Sequence, residues 1–285
     1  MAGGKGRASR RTPEELVEHG LRTGLDGERL AYTSRITAKV DSAAVQDGFQ
    51  IYHHTFLHTS TGEWAVVQQG MREGDAAARR YHWLGERVRD VVDEPHAAIA
   101  SSAPAGAVLN LVDHASAGAR AAITALARER PETVAREAAR IGAALGDAPA
   151  RRPAPPAVLR MPPGHAVDVR RDLDPTRLHQ VLLRTYEAAP VDFEALLALP
   201  GVGARSVRAL ALVAELVHGE AASVRDPARF SFAHGGKDGH PYPVDRATYD
   251  GSVEWLRDAV ARARLGRSER ADALRRLARW SDGGA

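Results

Sequence analysis

The 285-residue chain contains no cysteine, which excludes disulfides, thiolate metal centres and cysteine nucleophiles. No apolar run approaches membrane-spanning length, and the N-terminus lacks the hydrophobic core of a signal peptide, so a cytoplasmic protein with no membrane partner is expected. A large charge excess is missing too: 39 Lys and Arg against 36 Asp and Glu give +3, too little to imply a polyanionic partner by itself. Any basic footprint must be local. Lys5, Arg7, Arg10 and Arg11 cluster near the start, and Arg262, Arg264, Arg267, Arg270, Arg275, Arg276 and Arg279 near the end, the latter in the pattern of a solvated helix face.

Hydrophobic residues at 44 % suit a globular fold with a sizeable core. Thr12-Pro13-Glu14-Glu15 reads as a helix start, with Thr12 as cap and Glu15 closing a capping box. Between Leu30 and Val40, the residues Tyr32, Ser34, Ile36, Ala38 and Val40 alternate as on a half-buried strand. Phe49 to Thr59 and Trp64 to Gln69 read as strands joined by a short polar turn containing Gly62, a β-hairpin. The chain from Ala97 to Leu145 is alanine-rich and helical in pattern, with Pro131 at a helix start. Six of the sixteen prolines then fall between Gly146 and Gly164, which predicts a stiff linker. A helical region follows, interrupted by an irregular loop at 223–246. The expected class is α+β: an N-terminal domain 1–148 with a small antiparallel sheet and helices, a linker 149–164, and a mostly helical domain 165–285.

In the second domain, Leu199-Pro200-Gly201-Val202-Gly203-Ala204-Arg205 separates a short helix from a longer one marked by Val207, Leu210, Val213 and Val217. Two glycines permit a tight turn, and the amides that open the second helix form a ready anion site. The stretch resembles a helix-hairpin-helix, the phosphate-binding module of many DNA repair and replication proteins. That resemblance implies DNA contacts, largely independent of sequence, from Gly201, Val202, Gly203, Arg205 and Arg208, with Lys5 and Arg7 of the glycine-rich start as a second phosphate-binding candidate. An ordinary helical hairpin and a floppy basic terminus are the competing readings.

Polar side chains concentrate in two places. Asp41, Gln46, Asp47, His53, His54, Gln68, Gln69 and His82 occupy one window, and His234, Lys237, Asp238 and Asp245 lie in the later loop. Carboxylates beside imidazoles suit a divalent ion acting on phosphate, so Asp41, Asp47 and His54 are candidate ligands for Mg²⁺ or Mn²⁺, with His53 or His54 as a general base. Gln68, Gln69 and His82 carry no assigned role. No ligand spacing here is a recognised signature, and a network of satisfied core residues is the alternative.

The blocks Gly-Gly-Lys-Gly-x-Ala-Ser-Arg-x-Thr-Pro-Glu-Glu, Lys-Val-Asp-Ser-Ala-Ala-Val-Gln-Asp-Gly-Phe-Gln-x-Tyr-His-His, Trp-Ala-Val-Val-Gln-Gln-Gly-Met and Ser-Phe-Ala-His-Gly-Gly-Lys-Asp-Gly-x-Pro-Tyr-Pro-Val-Asp-Arg resemble the archaeal and bacterial domain-of-unknown-function family 763. The likeness runs over nearly the whole chain, and it implies a segment upstream of the Gly-Gly-Lys-Gly block. It implies no activity. The functional expectation is a DNA-binding protein of repair or processing type, with a metal-dependent nuclease as its enzymatic form. Two alternatives stand beside it: a helix-hairpin-helix glycosylase with Asp226 near the catalytic position but Arg205 where a Schiff-base lysine would stand, and a non-catalytic nucleic-acid-binding adaptor.

Overall fold

A computed structural model describes residues 1–72, 77–103, 105, 108–146, 175–230, 246–262, 271 and 273–275. The elements are β1 (Ala2–Lys5), α1 (Arg7–Thr23), α2 (Gly27–Lys39), a π-helical turn at Val40–Ala44, β2 (Val45–Gln46), β3 (Gln50–His58), β4 (Trp64–Met71), β5 (Ala78–Leu84), β6 (Ala98–Ser101), β7 (Leu109–Asn110), α3 (Ala117–Ala127), α4 (Pro131–Gly146), α5 (Pro175–Ala188), α6 (Phe193–Ala198), α7 (Ala204–His218) and α8 (Arg246–Arg262). Five strands form an antiparallel sheet in the order β1-β3-β4-β5-β6, and β2 pairs with β7. The expected hairpin is β3–β4, with Gly62 at φ 96 in its turn. The α+β class is therefore as expected.

Three local expectations are overturned. The stretch read as a strand from Leu30 is helix α2: Asp26 caps it by accepting from the Arg29 amide at 2.9 Å, and Leu30, Ala31, Ser34 and Thr37 bury one face at helical spacing. The apparent alternation leaves Tyr32 39 % exposed, so it marks no buried face. Helix α1 begins at Arg7 rather than near Thr12, and Pro13 sits inside it. The proline ring removes one backbone donor, and the Thr12 hydroxyl donates instead to the Ser9 carbonyl at 2.9 Å. Glu15 accepts from the Gly3 amide at 2.8 Å and so ties α1 to β1 instead of closing a capping box. In the region expected to be helical from Ala97 to Leu145, α3 and α4 are α-helices, but Ala98–Ser101 and Leu109–Asn110 are strands.

Helices α1 and α2 cross very closely because Gly20 and Gly27 meet there. A Cβ on Gly20 would lie 2.6 Å from the Gly27 Cα. Beneath them, Leu16, Ile36 and Val40 join Phe56, Val66, Tyr81 and Trp83 of the sheet in one core that continues through Ile123 of α3, Leu196 and Leu197 of α6, and Leu210 of α7. Met1–Phe230 thus forms one compact unit, and Ser231–Ala285 a second containing α8. The boundary expected at 149–164 falls inside the first unit. The linker residues themselves, like most of the 223–246 loop, lie outside the described residues.

Candidate functional site

Asp41 comes first, because the π-helical turn at the end of α2 points its side chain into the sheet, where it is fully buried. A carboxylate there is costly unless its oxygens are bonded. Asp41 Oδ2 accepts from Trp83 Nε1 at 2.9 Å and from Gln68 Nε2, while Oδ1 lies 2.5 Å from His96 Nε2. Gln68 continues the chain, since its Oε1 is 2.9 Å from His54 Nδ1 and His54 Nε2 is 2.8 Å from the Ser34 hydroxyl. Burial pushes His54 below the usual imidazole range, against the opposing effect of Gln68. The ring is therefore neutral and both of its nitrogens are used.

Asp47 belongs to a different network. Its Oδ2 accepts from Arg79 Nη1 at 2.9 Å and from the Tyr81 hydroxyl at 2.6 Å, and its Oδ1 from the Phe49 amide at 3.0 Å. Arg79, fully buried, stacks on the Phe49 ring at 4.6 Å and donates to Ser101 and, at 2.9 Å, to Asp226. Burial pushes Asp47 above the usual carboxylate range despite Arg79 and Tyr81. Asp226 also accepts from the amides of Ala105 and Ala228. Although burial alone would raise it, the Arg79 hydrogen bond and these amides hold Asp226 below the ordinary range.

The expected metal set is consequently not assembled. Asp41 and His54 are joined only through Gln68, Asp47 lies in a second network, and these bonds occupy their polar atoms. His53, on the neighbouring position of β3, turns away and bonds Thr55 Oγ1 at 2.7 Å. Among the described residues no group of three or more His, Asp and Glu is placed to hold a metal ion. Of the remaining cluster, Gln68 is the link described above. Gln69 lies on the other face between Tyr52 and Arg80, and His82 is half-buried on β5, where burial lowers its ring below the usual range. His234, Lys237, Asp238 and Asp245 lie outside the described residues.

The stretch 193–218 is a helical hairpin. Gly201 has φ 87, and a Cβ there would stand 2.6 Å from Arg184 Nη1, so the bare backbone lets a guanidinium from α5 lie against the turn. Gly203, by contrast, is extended at φ −153, and a Cβ would meet nothing within 4 Å. Its amide is 3.0 Å from Ser206 Oγ, whereas those of Ala204 and Arg205 open the helix without a protein acceptor among the described residues. Pro200, Gly201 and Arg205 are exposed. Arg208 is not part of that surface: it is 7 % exposed and donates to Gln46 Oε1 at 2.6 Å, while Gln46 donates to the Ala204 carbonyl at 2.8 Å. A candidate DNA contact by sequence, Arg208 instead lies on the face of α7 that packs into the core.

Besides the Gln46 bonds, helix α2 fastens the hairpin to the N-terminal half. Lys39 Nζ donates to the Val202 carbonyl, and Tyr32 donates to Glu194 of α6 at 2.7 Å, its phenol pushed up to about 12 by burial and that bond. Next to these contacts is a cavity of about 460 Å³, with Arg10 at one wall, Arg35 and Lys39 at another, Ala198 of the hairpin beside them, and His54 and Gln68 among its lining. Lys5 and Arg7, both exposed, belong to the β1–α1 junction from which that first wall rises. Two basic stretches far apart in sequence are thus neighbours around one opening. Sequence reading missed Arg184, Arg35, Lys39 and His96; the last lies 55 residues from its partner Asp41, and no spacing announces the pair.

A model of the family described as "Protein of unknown function (DUF763)" matches residues 1–244. The chain belongs to that family. No curated protein and no solved structure matches it. The family's description carries no activity, so function rests on the geometry above. Among the described residues no helix is long and apolar enough to cross a membrane.

Proposed function

We propose that the protein binds nucleic acid through the phosphate backbone, with the tip of the α6–α7 hairpin as the primary contact. What supports this reading is the placement of Arg184 and Arg205 on either side of a bare glycine turn, with the positive end of the fifteen-residue helix α7 between them. Arg10, Arg35 and Lys39 around the adjacent cavity extend the positive surface. Contacts of this kind position a strand without reading its bases. Asp41, Asp47 and His54 give no support to a metal-dependent nuclease, because their donor atoms are already engaged. Fluorescence anisotropy with labelled duplex and single-stranded oligonucleotides at several salt concentrations tests the reading. Arg184→Ala and Arg205→Ala should each weaken binding and flatten the log–log salt slope by about one unit. Unchanged affinity and slope in the double variant, with circular dichroism showing an intact fold, would overturn it.

A further inference from the structure

A second cavity, of about 380 Å³, opens between β6, β7 and the segment 225–230, which is held along β6 by the Ser101 amide donating to the Phe230 carbonyl at 2.9 Å. His96 lines it, and its side chain is only 6 % exposed. In the tautomer that donates to Asp41 from Nε2 across the 2.5 Å contact, Nδ1 carries the lone pair. Among the described residues His96 bonds Asp41 through Nε2, and no sealed side-chain nitrogen or oxygen lacks a partner. Nδ1 therefore faces open space, and the open space at His96 is this cavity. The edge of the Trp83 ring, 4.6 Å between centroids, fixes the imidazole plane. A base oriented by a carboxylate that is itself held by other donors is the arrangement that activates water or a hydroxyl.

Charge in the cavity narrows what it takes. Glu94, Asp113 and Asp226 line it against Arg225 and Arg229. Both arginines turn towards these carboxylates, Arg225 Nε lying 3.0 Å from Asp113 and Arg229 Nη2 3.8 Å from Glu94, and Arg79 is shared between Asp226 and Asp47. The surplus is negative. Such a site stabilises positive charge that develops during reaction, as it does on the sugar carbon when a glycosidic bond breaks. Ile99, Val112 and Pro227 offer apolar wall for a flat ring.

We propose that this cavity hydrolyses the N-glycosidic bond of a nucleoside unit, with His96 as the catalytic base and Asp41 as its positioning residue. His96 Nδ1 takes a proton from a water, whose oxygen bonds to C1′ as the C1′–N bond breaks. The bonding pair leaves with the base nitrogen, which takes a proton from solvent, and His96 returns its own proton to solvent. One nucleoside unit and one water give a free base and a sugar bearing a C1′ hydroxyl. No oxidant or reductant is needed. The inference does not depend on the hairpin.

The test incubates the full chain with ribonucleosides, deoxynucleosides, and single-stranded and duplex oligonucleotides carrying normal bases, deoxyuridine or deoxyinosine, and measures free base by mass spectrometry. Release from at least one class is expected. Release from oligonucleotides alone assigns the site to a unit extruded from a strand, and release from nucleosides alone to the free molecule. His96→Asn should lower release about a hundredfold or more, with the melting temperature checked in parallel. His96→Gln, which keeps an amide donor for Asp41, replaces it if the first variant is destabilised. Asp41→Asn should lower kcat with little change in KM, because the tautomer rather than the cavity is altered. No free base from any substrate, or release undiminished in the folded His96 variant, overturns the proposal.

Discussion

Replacing Arg79 by methionine tests whether the Asp47–Arg79–Asp226 network is the main polar fastening of the first compact unit. Methionine fills a similar volume and keeps an apolar contact with Phe49, so the change isolates the charge. It removes donors 2.9 Å from Asp47, 2.9 Å from Asp226 and 3.3 Å from Ser101, and leaves Asp47 fully buried with only Tyr81 and one amide. Breaking a buried pair from one side costs about 3–5 kcal/mol, most of it the uncompensated charge. For a unit of this size each kcal/mol moves the melting temperature by roughly 2–4 °C, so a fall of about 10 °C is expected in calorimetry. If the buried charge is the cause, Asp47→Asn added to Arg79→Met should restore part of the loss, a coupling visible in a double-mutant cycle. A single variant within about 1 kcal/mol of the parent by denaturant titration, or no recovery in the double variant, would refute the reasoning.

Arg208→Ala should destabilise the fold by about 1–3 kcal/mol, by leaving Gln46 Oε1 unbonded, while Arg205→Ala leaves stability unchanged; parallel thermal melts of the two separate these roles. Gly20→Ala should cost several degrees of melting temperature by forcing α1 off α2, whereas Gly203→Ala, whose Cβ meets nothing within 4 Å, should be silent in both melting and nucleic-acid binding. Asp93, Asp113 and Asp226 all titrate below the unfolded value of 3.8, since hydrogen bonds and nearby arginines outweigh burial. Their stabilisation is full above that value and lost as pH falls through the lower folded ones, while Asp47, shifted upwards, acts in the opposite sense. Asp226→Asn and Asp113→Asn should therefore each flatten the acid limb of the stability–pH curve.

What the sequence made legible follows period and punctuation. The β3–β4 hairpin was visible because its turn and alternation agree, and the α6–α7 hairpin because Pro200 and Gly201 interrupt two apolar periods. Helix α2 was misread because alternate residues from Tyr32 to Val40 mimic a strand, and the deciding cap, Asp26, lies outside that window. The polar residues were located correctly as a group but not in their partnerships. Asp41 and Asp47 are six positions apart, yet the π-helical turn and β2 carry them into different networks, and Arg79 and Asp226, 147 residues apart, meet only through the tertiary fold. Arg208 shows the same limit, since a helix's buried face depends on what packs against it.

The links from Ser34 through His54 and Gln68 to Asp41 run in one direction only. Gln68 Oε1 can only accept, so His54 Nδ1 must donate and its Nε2 must take the serine proton; Gln68 Nε2 then donates onward to Asp41, which His96 approaches from the other side. His54 and Gln68 line one cavity and His96 the other. A ligand in the first cavity that reversed the serine's donation would have to flip the imidazole tautomer and the Gln68 amide together, turning a donor at Asp41 into an acceptor. Orientation, rather than movement of backbone, is thus what such a ligand would change along this chain.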